Sequence, residues 1–173
     1  MSSRSAPFDA LGLPVRYAID DKELERAWLT RSRAVHPDRF AGKPDAERRK
    51  AAEQTAALND AYRAIKDPFD RAVWLVTRAD ARVDVAKLDQ PLLMALMEAR
   101  ERADESAEEK ARVVAESAAR FQALAGSLAA LLADLDDGAA LERAGRALAE
   151  MKTLARLVDD LGGARLISTL DAR

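Results

Sequence analysis

The sequence contains no cysteine and only one histidine, His36. Without cysteine there are no disulfides, no thiol chemistry, no cysteine-ligated zinc and no iron–sulfur ligation by this chain. Glycine and proline are scarce, at 7 and 6 residues, and aromatics make up 5%. β-branched residues are also few beside abundant Ala, Leu, Arg and Glu, so the sequence reads as all-α. No glycine-rich phosphate loop occurs. No stretch is long and apolar enough to span a bilayer, and residues 1–8 hold no apolar run of the signal-peptide kind, so the cytoplasm is the expected location. Lys and Arg number 28 against 30 Asp and Glu, for a net charge of −2. No overall basic field therefore draws the chain to nucleic acid or anionic lipid.

What is present is a folding composition: 49% hydrophobic and 34% charged over 173 residues. That is enough for one moderate domain or two small ones. The chain is organised around His36-Pro37-Asp38-Arg39-Phe40. Residues 21–35 read as a helix that Pro37 brings to an end near His36. Gly42-Lys43-Pro44-Asp45 marks a loop, with Asp45 the expected cap of a helix over about 45–66. Two helices joined by so short a loop fold back as an antiparallel hairpin, with His36, Pro37 and Asp38 at its exposed tip.

Upstream, Phe8, Leu11 and Leu13 form a short turn closed by Gly12 and Pro14, expected to pack on the hairpin. Asp20 or Asp21 caps the next helix. Leu24, Ala27, Trp28 and Val35 share one face of it, with Arg31 a misfit in their midst. The opposite face carries Lys22, Arg26 and Arg33, and Arg39 lies just beyond the tip. In the following helix Ala51, Thr55, Leu58, Tyr62 and Ile65 repeat at fours and threes, the seam of a helix packed on a partner. Asp67-Pro68 then caps and restarts a helix with Ala72-Val73-Trp74-Leu75 as apolar bulk.

A helix–helix turn bearing His36-Pro37-Asp38, followed by Arg39-Phe40, resembles the J-domain, by which co-chaperones engage DnaK-type ATPases. Asn59-Asp60-Ala61-Tyr62, Asp67-Pro68 and Arg71-Ala72 narrow the resemblance to the HscB type of iron–sulfur cluster biogenesis. The resemblance implies that His36, Pro37, Asp38 and Arg39, with Lys22, Arg26 and Arg33, contact the chaperone. A charge row on a helix is also, more simply, a solvated face.

Beyond a connector at 79–90, where Val83, Val85 and Leu88 are candidates for burial, three helices are expected over about 91–103, 106–135 and 139–161. Two short turns between them imply an up-down-up bundle. Phe121, Leu124, Leu128, Leu131, Leu132 and Leu135 are the expected buried stripe of the middle helix. Gly162-Gly163 ends the third, and residues 164–173 show no readable pattern beyond a loose terminal turn. The expected organisation is a J-domain over 1–79, a connector over 80–90 and a bundle over 91–173.

The first bundle helix is apolar on two sides. Leu92, Leu96, Ala99 and Ala103 make a core stripe, whereas Leu93, Met94 and Met97 point elsewhere beside Glu98, Arg100 and Glu101. Either this second patch packs on the first domain or it is an exposed recognition surface. The HscB resemblance implies the latter, with Leu93, Met94, Met97, Glu98 and Glu101 contacting an IscU-type scaffold protein. Relatives often add an aromatic where this sequence has Thr153.

As a catalytic pair His36 and Asp38 stand alone: the parts for metal, thiol or nucleotide chemistry are missing. No enzyme activity and no cofactor are expected. The reading is a co-chaperone that stimulates an HscA-like ATPase and delivers an IscU-type scaffold. A J-protein for another client, or a helical adaptor outside chaperone systems, is the alternative.

Overall fold

The computed structural model describes residues 6–167. Residues 1–5 and 168–173, and with them parts of the amino-terminal stretch and of the terminal segment considered above, lie outside the described residues. The described chain is helical without strands: α1 (Ala6–Leu11), α2 (Asp21–Val35), α3 (Asp45–Lys66), α4 (Pro68–Ala79), α5 (Gln90–Glu105), α6 (Ala107–Leu131) and α7 (Gly138–Asp160). It forms two compact units, Met1–Trp74 and Leu75–Arg173, and the division falls inside α4.

In the first unit α1 and α2 both pack on α3. Phe8, Leu11, Leu24, Leu58 and Ile65 are buried there, and burial of each such side chain contributes about 1.5–3 kcal/mol. Of the α3 seam, Ala51, Leu58 and Ile65 are buried and Thr55 and Tyr62 half-buried. Arg31, the misfit of the α2 face, finds its place at Gly12. A Cβ built on Gly12 would stand 2.0 Å from Arg31 Nη2, and Gly12 has φ +67°. Glycine is favoured here by the left-handed turn that closes α1, and the guanidinium rests in the space its missing Cβ leaves.

Asp45 does not cap α3. Pro44, at ψ 151°, is the residue before the helix, and its carbonyl accepts from Glu47 N and Arg48 N. Asp45 is therefore the first helical residue, where its carboxylate pairs with Arg48. At α2 the cap position is Asp20, extended but without a side-chain cap bond. At α4 the expectation holds: Phe69 N donates to Asp67 Oδ1 at 2.8 Å, with Pro68 opening the helix.

Arg71 is 3% exposed. Its guanidinium donates to Ile65 O at 2.7 Å and Lys66 O at 3.3 Å, and to Tyr17 O at 3.0 Å and Ile19 O at 3.4 Å. It thereby satisfies carbonyls left over at the α3 C-terminus and ties the α1–α2 loop to them. Burial lowers its pKa, opposed by the nearby Asp21 carboxylate.

In the second unit α5, α6 and α7 run as an up-down-up bundle. Each helix start is capped by a side chain: Asp89 accepts from Leu92 N, Ser106 from Glu109 N, and Asp137 from Ala139 N and Ala140 N. α6 ends at Leu131, short of the expected residue 135. Past it, Asp134 Oδ1 captures Asp136 N at 2.9 Å, a local turn that competes with further helix. Of the stripe expected to be buried, Phe121, Leu128 and Leu132 are buried, while Leu124, Leu131 and Leu135 are only half-buried. Val83, Val85 and Leu88 are half-buried as well. Val83 lies against Gly145, where a Cβ would stand 2.3 Å from its Cγ1.

Candidate functional site

Two surfaces, one on each unit, carry the residues singled out in the sequence. The first is the end of α2. The helix stops at Val35, and His36 adopts φ −58°, ψ 131°. The segment expected to be plain loop contains a 3₁₀ turn, Pro37–Phe40, whose start His36 caps. His36 Nδ1 lies 3.3 Å from Asp38 N and 3.4 Å from Asp38 Oδ2. A neutral imidazole accepts from that amide, and a protonated one donates to that carboxylate. Arg39 N donates to His36 O at 3.0 Å, and Arg39 Nη1 to Arg33 O at 3.3 Å. Behind the tip, Thr55 Oγ1 lies 3.1 Å from Val35 O and 2.8 Å from Ala51 O, so its one proton serves either carbonyl. The Asp38 side chain is 89% exposed and projects from this fixed turn.

Lys22, Arg26, Arg33 and Arg39 are all exposed. Among the described residues none of the four has a carboxylate partner, whereas nearby Arg16, Arg48 and Arg63 pair with Glu23, Asp45 and Asp60. Leu29, 39% exposed, sits within this basic row. It was not singled out in the sequence, although its spacing of three from Arg26 and four from Arg33 puts it on their face.

The second surface is on α5. Its core stripe turns inward: Ala103 is buried with Val113, Leu157 and Leu161, and Leu96 and Ala99 pack against them. Leu93, Met94 and Met97 are 47%, 56% and 57% exposed. α5 packs mainly along α6 and touches α7 only briefly. On its α7 side it leaves a groove of about 420 Å³ lined by Leu93, Leu96, Met97, Glu101, Thr153 and Leu157, among others. Met94 and Glu98 are exposed outside this groove rather than lining it. The Thr153 hydroxyl donates back to Ala149 O at 3.1 Å, so its proton is already used within α7. Glu98 and Glu101 have no cationic partner among the described residues.

Among the described residues no cluster of three His, Asp or Glu side chains is placed to hold a metal ion. No described helix is long and apolar enough to cross a membrane.

No family model matches the sequence. The chain is 39% identical over 165 residues to the co-chaperone protein HscB homolog of Bordetella petrii, an alignment covering 91% of this chain and 95% of the relative. The HscB homolog of Bordetella pertussis is 34% identical over 161 residues, with coverage of 91% and 95%. Among solved structures, chaperone HscB from Vibrio cholerae superposes with a TM-score of 0.68 at 24% identity, covering 90% of this chain and 94% of that one. Human co-chaperone HscB gives a TM-score of 0.60 at 18% identity, covering 90% and 82%. At those identities the structural likeness carries the fold.

Proposed function

The chain belongs to the HscB family of co-chaperones, and on that footing we propose that it couples a DnaK-type chaperone ATPase of the HscA kind to an IscU-type scaffold protein. Its fold is that of HscB structures, an amino-terminal J-domain followed by a helical bundle. In this reading residues 1–79 are the J-domain, 80–90 the connector and 91–173 the scaffold-binding bundle.

The observation that carries the proposal is the exposure of His36 and Asp38 at the end of a helix whose cations lack carboxylate partners among the described residues. An anion on the chaperone finds Lys22, Arg26 and Arg33 without ion pairs and Arg39 held only by the Arg33 carbonyl, so docking does not first have to break internal salt bridges. His36, Pro37 and Asp38 then meet the chaperone at the tip. No group of this chain takes part in bond breaking, because hydrolysis occurs on the partner; the chain itself is not an enzyme and needs no cofactor.

At the other surface, Leu93, Met94 and Met97 offer apolar area that the bundle leaves uncovered, bordered by Glu98 and Glu101. Such a patch ringed by charge suits a protein partner, and methionine adapts to its contour. A steady-state ATPase assay of an HscA-type chaperone with and without an IscU-type scaffold tests the reading. Stimulation by this chain, enhanced when the scaffold is present, is the expected result. Absence of stimulation under both conditions overturns it.

A further inference from the structure

A second groove opens on the bundle, lined by the segment before α5, by α6 and by α7, with a volume of about 340 Å³. Its floor is made of Leu88, Leu92, Leu124 and Leu131, all half-buried. Leu124 and Leu131 belong to the stripe whose spacing predicts burial, and this groove is where they remain accessible. Ser127 lies between them, and its hydroxyl donates to Leu124 O at 2.7 Å. The floor therefore offers no unsatisfied polar group to an occupant.

Three cations and two carboxylates line the groove, and Lys87 and Arg146 also border Asp84 and Glu142. Lys87 stands on one side and Arg143 and Arg146 on α7. The carboxylates lining the groove, Asp89 and Glu150, are already engaged: Asp89 Oδ1 accepts from Leu92 N at 3.0 Å, and Glu150 holds Arg120 at 2.7 Å. Arg146 has only Glu142, at 4.0 Å. Lys87 and Arg143 have no carboxylate partner among the described residues. In a chain of net charge −2, an apolar strip between uncommitted cations selects an acidic, amphipathic occupant.

The length of the strip chooses between kinds of occupant. Leu124 and Leu131 are seven residues apart on one helix, so the floor runs about 10 Å at a rise of about 1.5 Å per residue. The cations come from two elements, Lys87 from the segment before α5 and Arg143 and Arg146 from α7. That pattern fits a helix laying side chains at i, i+3, i+4 and i+7 into the groove, flanked by acids on each side, better than an amphiphile with one head group. We propose that this groove is a second docking site, for an acidic amphipathic helix of a protein partner. It is separate from the Leu93–Met97 surface and independent of the function given to that surface.

The test uses the full chain and a fluorescein-labelled synthetic helix with leucine at i, i+3, i+4 and i+7 and glutamate elsewhere, read by fluorescence anisotropy. A twin peptide with lysine replacing glutamate, and laurate as competitor, complete the set. The acidic helix is expected to bind at least about tenfold more tightly than its lysine twin. Lys87→Glu with Arg143→Glu, both exposed positions, should remove that binding without lowering the melting temperature. Leu93→Ala with Met97→Ala should leave it intact. Equal binding of the two peptides, unchanged binding by the charge-reversed variant, or loss in the Leu93/Met97 variant overturns the proposal. Displacement of the peptide from the wild type by low laurate, with the Leu93/Met97 variant binding normally, assigns the groove to a small amphiphile and overturns it too.

Discussion

Trp28 on α2 donates its indole Nε1–H to Asn59 Oδ1 on α3 at 3.0 Å. The same indole stacks on Tyr62, with centroids 4.9 Å apart and planes 22° off parallel. One side chain thus registers the hairpin by both a polar and an apolar contact, and the position of the His36 tip depends on that register. Asn59→Ala removes the acceptor and leaves a part-buried indole N–H unpaired, at a cost of about 1–3 kcal/mol. Urea unfolding followed by tryptophan fluorescence measures it. Tyr62→Phe, which keeps the stack, should change stability far less.

Asp38→Asn tests the tip. The carboxylate is exposed and supports no helix, so stability should stay within about 0.5 kcal/mol of wild type. Stimulation of an HscA-type ATPase should nevertheless be abolished. A variant that stimulates normally would remove the tip from the mechanism. His36→Gln carries the same expectation, with a small stability loss because His36 Nδ1 also accepts from Asp38 N.

The basic face is tested by salt. Arg26 and Arg33 have no carboxylate partners among the described residues, so reversing both to Glu leaves no buried acid stranded. Chaperone binding should weaken by tenfold or more at low ionic strength, about 1.4 kcal/mol. Its salt dependence should flatten, because exposed charges are screened over about 10 Å at 0.1 M salt. Titration at several salt concentrations gives both slopes. Leu29→Ala, on the same face, should reduce affinity without altering the slope.

Much of this was legible in the sequence, and the exceptions have physical causes. Helix periodicity placed the α2–α3 hairpin and the bundle because every turn must bury an apolar side chain somewhere. Asp67-Pro68 was readable as a helix start because both residues act locally. Asp45 was not, since Asp45 and Pro44 compete for the cap position and the proline carbonyl closes the first turn instead. The resting place of Arg31 depends on Gly12, nineteen residues earlier in the turn after α1, and no local pattern encodes that approach. Leu124 and Leu131 share the stripe of Phe121 and Leu128, yet their cover depends on how far the neighbouring helices reach. The residues of the α2 tip were legible as a motif; the 3₁₀ turn that orients them follows from the proline and the His36 cap together.

Arg71 should be among the least replaceable residues of the first unit. Arg71→Met keeps much of the apolar stem but withdraws the donor from the carbonyls of Ile65, Lys66 and Ile19, and from Tyr17 O, which keeps Ile19 N. Each buried acceptor left without a donor costs about 1–3 kcal/mol, reduced where water reaches it. A loss of about 2–4 kcal/mol is expected in chemical denaturation. Arg71→Lys should recover only part of this, because an ammonium group cannot span carbonyls from two segments as the planar guanidinium does.

Leu93 and Met97 separate stability from binding. Both are about half exposed and line one groove between α5 and α7, while the core beneath is built from Leu96, Ala99 and Ala103. Truncating either to Ala removes little buried area, so thermal melts should shift by no more than about 0.5 kcal/mol allows. If these side chains are anchors, each truncation costs about 1–2 kcal/mol or more in binding an IscU-type scaffold by calorimetric titration. ATPase stimulation measured without scaffold should persist, because the tip of α2 belongs to the other unit. A large drop in melting temperature would mean that the pair supports the fold. An intact fold with undiminished scaffold binding would remove Leu93 and Met97 from the client site and leave Met94, 56% exposed, as the remaining exposed large apolar side chain of α5.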